Sequence, residues 1–126
     1  MKNRPFSERI GFALAGIATG WQREKSFRTQ TGMAVLAFVA LLVLRPAPIW
    51  WALIALVVGL ILALELLNAA LEGVVDRLHP DIHPEIKAVK DMAAGAVLLL
   101  SFVAVLVGSA MVIERGPAVL HEWGLA

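Results

Sequence analysis

Glu65, Asn68, Glu72 and Asp76 are the residues of this chain best placed to do chemistry together. On an α-helix advancing about 100° per residue they fall near 0°, 300°, 340° and 20°, with Ala69 near 40°, so three carboxylates and an amide share one narrow stripe. The stripe closes a long apolar run. A carboxylate carried to the edge of a bilayer costs about 2.5–3.5 kcal/mol on insertion scales, so the stripe needs polar partners and marks a functional site. Hard oxygen ligands beside a lysine suit a magnesium-bound nucleotide: carboxylates hold the ion through one or two contacts, and an ammonium group meets phosphate oxygens. Glu65 lies about 10 Å deeper than Glu72, seven residues at ~1.5 Å each, where it could act as general base on a hydroxyl presented at the membrane interface.

The lysine and further carboxylates come from other segments. Lys90-Asp91 heads a third apolar run, and Glu24 with Arg28 lies at the entry to the first. Each has a plainer use: Glu24, Lys25 and Arg28 as a solvated helix face, Lys90-Asp91 as an interfacial anchor and cap. His79 and His83 are four residues apart but surround Pro80, which favours a loop role over metal ligation. Neither a Gly-x-x-x-x-Gly-Lys-Ser/Thr loop nor a Gly-x-Gly-x-x-Gly cradle is present, so the familiar nucleotide-binding folds are excluded and the site must be built from helices.

The elements that position these groups follow from hydropathy. Of the 126 residues 60% are hydrophobic, and the mean hydropathy of +0.80 exceeds what a soluble core requires. The chain reads as an all-α membrane protein of one domain, residues 1–126. Phe6, Ile10, Leu14, Ile17 and Trp21 recur at helical spacing and predict an amphipathic surface helix over about 6–26. A signal peptide is the competing reading of that segment, because basic residues precede the short apolar run from Ile10. The uncharged stretch Gln30 to Leu44 predicts a first span over about 27–45, ended by Arg45-Pro46-Ala47-Pro48, with Arg28 snorkelling. Ile49 to Leu64, opened by Trp50 and Trp51, predicts a second span that runs on through the stripe, about 48–76. Prolines and charges at 79–85 make a loop, and Met92 to Ile113 is uncharged, giving a third span over about 86–113. Glu114-Arg115-Gly116-Pro117 reads as its stop, with 114–126 as an unstructured tail.

Charge distribution orients the spans. Nine basic residues lie before residue 29 or between 76 and 91, against Arg45 and Arg115 on the other side. This bias places the N-terminus, the stripe and Lys90-Asp91 at the cytoplasmic surface of an inner membrane and the C-terminus outside. The chain has no cysteine, which excludes disulfides and thiolate metal sites.

Glu65-x-x-Asn68-x-Ala70-Leu71-Glu72-x-x-Val75-Asp76, followed by Lys90-Asp91-Met92-Ala93-Ala94-Gly95-Ala96-Val97, resembles the signature of the prokaryotic diacylglycerol kinase family, which includes undecaprenol kinases. Phe12, Gly16, Trp21, Glu24, Phe27 and Arg28 resemble the family's surface helix and first-span entry, extending the likeness over about 6–112. The resemblance implies a three-span homotrimer, with active sites between protomers, that passes the γ-phosphate of MgATP to the hydroxyl of a lipid. By motif it implies Glu65 as base, Glu24 and Glu72 as the carboxylates of the magnesium-nucleotide, and Asn68, Asp76, Lys90 and Asp91 as the remaining polar positions at the nucleotide. Asp81 and His83 fall where the family has groups near the nucleotide base, and Trp21 and Arg28 fall beside the lipid. The residue after the motif's asparagine is usually Ser or Thr, whereas here it is Ala69. Arg4 and Arg9 both suit the basic residue that reaches the phosphates. Two other classes compete: a cation or proton relay through an oligomeric channel along the carboxylates, and a structural subunit whose stripe only orders helix association.

Overall fold

The computed structural model describes residues 2–126 and is helical along almost its whole length, with no strand among the described residues. Four helices follow in order: α1 (Phe6–Arg23), α2 (Lys25–Leu44), α3 (Pro48–Leu78) and α4 (Pro84–Glu122). The last three are long and apolar enough to cross a membrane. α3 is the hub. It packs along α4 and α2 and also meets α1, whereas α1 and α4 make no contact.

Local chemistry sets each boundary. Glu24 adopts an extended backbone, φ −108° and ψ 108°, ending α1 and opening α2. The α2 helix stops at Leu44 because Arg45 precedes Pro46, and a proline ring crowds the residue before it out of the right-handed helical region. Arg45 instead takes φ 47°, ψ 55°, the left-handed geometry of a helix C-cap, with its amide donating 2.9 Å to the Leu41 carbonyl. Pro48 and Pro84 occupy the first turns of α3 and α4, where a missing amide proton costs no helical bond. At α4 the His83 Nδ1 accepts from the Glu85 amide at 3.1 Å, so this loop histidine caps the helix.

Only a few side chains are buried within one chain. Leu41, Ile54 and Met111 form a small core that joins the three spans, with Ala37, Ala40, Trp50, Trp51, Val58 and Val107 packed around it. Phe38 meets Trp51 edge to face, with ring centroids 6.1 Å apart. This core lies in the half of the bundle away from the carboxylate stripe. The remaining apolar side chains are largely exposed, as expected of surfaces covered by lipid or by neighbouring helices.

One boundary departs from the sequence reading. The third span does not end at Ile113, and 114–122 is not an irregular tail: α4 continues through Pro117 to Glu122. Pro117 removes a single amide donor, that to the Ile113 carbonyl. Side chains of the extension reach the α2–α3 turn. The Trp50 indole N–H donates to the Glu114 carboxylate, and Arg115 Nε donates 2.6 Å to the Leu44 carbonyl.

Candidate active site at one end of the bundle

The stripe on α3 is graded in depth. Glu65 is 6% exposed, the only charged residue buried among those described. Asn68, Ala69 and Glu72 are half-buried, and the Asp76 side chain is 62% exposed. A single unbroken helix thus carries carboxylates from a buried position to an exposed one. The Asn68 Oδ1 atom is itself buried and has no hydrogen-bond donor. Buried acceptors without donors are rare, and an unpaired acceptor on a stripe of carboxylates is characteristic of a site where a further donor binds.

Two pairs join the stripe's outer end to α4. Lys90 Nζ donates to Asp76 Oδ1 at 2.5 Å, and Lys87 Nζ to Asp91 Oδ2 at 2.6 Å. The first spans the loop between α3 and α4; the second is an i,i+4 pair on α4. Both lysines lie on the water-facing turns of α4, ahead of its uncharged run. Asp81 lies exposed in the loop, beside the helix-capping His83.

Glu24 reaches this end of the molecule through a close helix crossing. Gly20 is buried on α1, and a Cβ there would collide with the Leu66 side chain, which lies next to Glu65 on α3. Glycine lets the two backbones approach, and the Glu24 amide continues the turn by donating 2.9 Å to the Gly20 carbonyl. Arg28 closes the corner. Its guanidinium donates to the Trp21 carbonyl at 2.6 Å and the Gln22 carbonyl at 3.2 Å, capping the C-terminal end of α1. Arg28 thus has a structural role at the end of α1 that its sequence position did not disclose. Arg4 is engaged with Glu8 at 3.5 Å at the start of α1.

No group of three or more His, Asp or Glu side chains is gathered as a cation site among the described residues, so a resident multidentate metal centre does not fit. Magnesium carried by a nucleotide asks for less, one or two carboxylates with phosphate oxygens and water in its other positions.

A small three-span helical protein with a depth-graded carboxylate stripe and a facing lysine defines a recognisable class of integral membrane protein. The chain belongs to the prokaryotic diacylglycerol kinase family, whose family model matches residues 11–112. It is 41% identical over 105 residues to a diacylglycerol kinase of Synechocystis sp., covering 81% of this chain and 59% of that protein. It is 33% identical over 93 residues to an undecaprenol kinase of Bacillus subtilis, covering 74% and 76%, and 34% identical over 96 residues to a diacylglycerol kinase of Escherichia coli, covering 76% and 79%. The chain thus spans a little over half the length of the Synechocystis relative.

Proposed function

We propose that the chain transfers the γ-phosphoryl group of ATP to the hydroxyl of a membrane lipid, converting 1,2-diacylglycerol to phosphatidic acid at the cytoplasmic face of the inner membrane. The depth gradient carries this reading: Glu65 is buried at the level a lipid hydroxyl reaches, while Glu72 and the Asp76–Lys90 pair sit where a water-soluble nucleotide arrives. Glu65 takes the hydroxyl proton as the lipid oxygen bonds to the γ-phosphorus and the bond to the β-phosphate oxygen breaks, releasing ADP. Glu24 and Glu72 would hold the magnesium that accompanies ATP, and that ion would neutralise charge on the β- and γ-phosphates. Lys90 stabilises the same charge from α4, with Asp91, Asp81 and His83 around the nucleotide. Asn68 offers its buried oxygen to a donor on either substrate. Trp21 lines the corner where the lipid headgroup enters. A homotrimer with sites between protomers would cover the apolar surfaces that a single chain leaves exposed.

The undecaprenol kinase relative supports a second reading in the same chemistry, with a polyprenol as the acceptor. An ion relay is disfavoured because the uncharged runs 30–44, 49–64 and 92–113 offer no ionisable group to continue a path. Purified protein in mixed micelles should move label from γ-labelled ATP to lipid only with magnesium and a lipid alcohol. Parallel assays with diacylglycerol and undecaprenol assign the acceptor. Glu65→Gln should lower turnover by 10² to 10⁴, roughly the range for a general base, while leaving assembly intact. Failure to phosphorylate either lipid would remove the kinase reading, and loss of assembly in Glu65→Gln would favour a structural stripe.

A further inference from the structure

The opposite end of the bundle carries polar contacts that the proposed reaction does not use. The Trp50 indole N–H donates to Glu114, Arg115 Nε to the Leu44 carbonyl at 2.6 Å, and the other arm of Arg115 pairs with Glu122 at 3.2 Å. Leu44 ends α2, so its carbonyl is one of the acceptors that a helix terminus leaves without an internal partner. Arg115 supplies the donor from a different helix. These α4 residues lie beyond the segment 11–112 that matches the family, on a continuation of the helix in which Val119 is 4% exposed.

We propose that residues 114–122 form a clasp that sets the axial register of α4 against α3 and α2, and that Glu114 and Arg115 act through this register as positioning residues for Lys90. Packing between apolar helix faces in lipid is non-directional, and hydrogen bonds between helices add the directional constraint on register. At the Lys90 end the only side-chain bond from α4 to another helix among the described residues is the exposed Lys90–Asp76 pair, and exposed ion pairs hold geometry weakly. At the far end a rigid indole and a planar guanidinium grip two different partners. Both connecting rods are continuous: α4 runs from Lys90 to Glu114 over ~36 Å before reaching Pro117, and α3 runs from Trp50 to Asp76 over ~39 Å. A slip of one turn at the clasp would arrive at the other end as a shift of ~5.4 Å, beyond the reach of Lys90 to Asp76.

The native chain has no cysteine, which permits a direct test. Asp76→Cys and Lys90→Cys are introduced together into the full chain in mixed micelles and bridged with a short bifunctional thiol reagent. Intrachain cross-linking is read by mass, and melting temperature is recorded alongside. Glu114→Ala and Arg115→Ala should lower the cross-linked fraction of folded protein several-fold, while Glu114→Gln and Arg115→Lys retain most of it. Trp50→Phe, which removes only the N–H donor, should act as Glu114→Ala does and serves if the alanine variants do not fold. Cross-linking that stays unchanged in the folded alanine variants and in Trp50→Phe, whether or not the melting temperature falls, would overturn the proposal. Because the measurement involves no turnover, it stands or falls independently of the kinase reading.

Discussion

Lys90 Nζ stands 2.5 Å from Asp76 Oδ1, linking the water-facing ends of α4 and α3 across the loop that joins them. The contact holds a cation beside the outermost carboxylate of the stripe. Replacing Lys90 by Met should lower kcat/KM for ATP by about 10² to 10³, comparable to removing one preorganised donor to a transition-state oxyanion. The melting temperature should change little, because the pair is exposed. Steady-state kinetics with varied ATP, beside a thermal melt, checks both halves.

The crossing of α1 and α3 depends on the absence of a side chain at Gly20. Gly20→Val should drive Leu66 aside, lift α1 from α3 and lower turnover at least several-fold by displacing Glu24. Leu66→Ala in the same chain should restore part of the loss, since the two residues share one contact and their effects should not add. A double-mutant cycle on kcat measures the coupling.

Arg45 occupies a left-handed conformation that glycine adopts without steric cost. Arg45→Gly should stabilise the fold by about 1 kcal/mol, provided its side chain has no further role. Unfolding in mixed micelles by a denaturing detergent provides the measurement.

Hydropathy and helical spacing were enough to place the three spans, the polar stripe and the loop around Pro80, because each rests on patterns within one segment. Even the depth order of Glu65, Glu72 and Asp76 follows from helix geometry alone. Contacts between segments were not legible. Nothing in the order of residues tells that Lys90 bonds Asp76, or that Arg28 turns back onto carbonyls of α1. The misread end of α4 has the same origin. Glu114-Arg115-Gly116-Pro117 has the local chemistry of a helix stop, and Trp50 and the Leu44 carbonyl, more than sixty residues earlier, take up its polar groups instead.

Gly20 is the one buried residue of α1, close to its last turn, and every described residue before it is exposed. Pinned at Gly20, the helix is a lever whose free arm, back to Phe6, is about 21 Å long, with its fulcrum beside the stripe. Raising its free tip by ~2 Å tilts it by only ~5° on that length. Such a lever turns movement at the tip into a much smaller one at Glu24, so this carboxylate keeps its place while the far end of α1 moves.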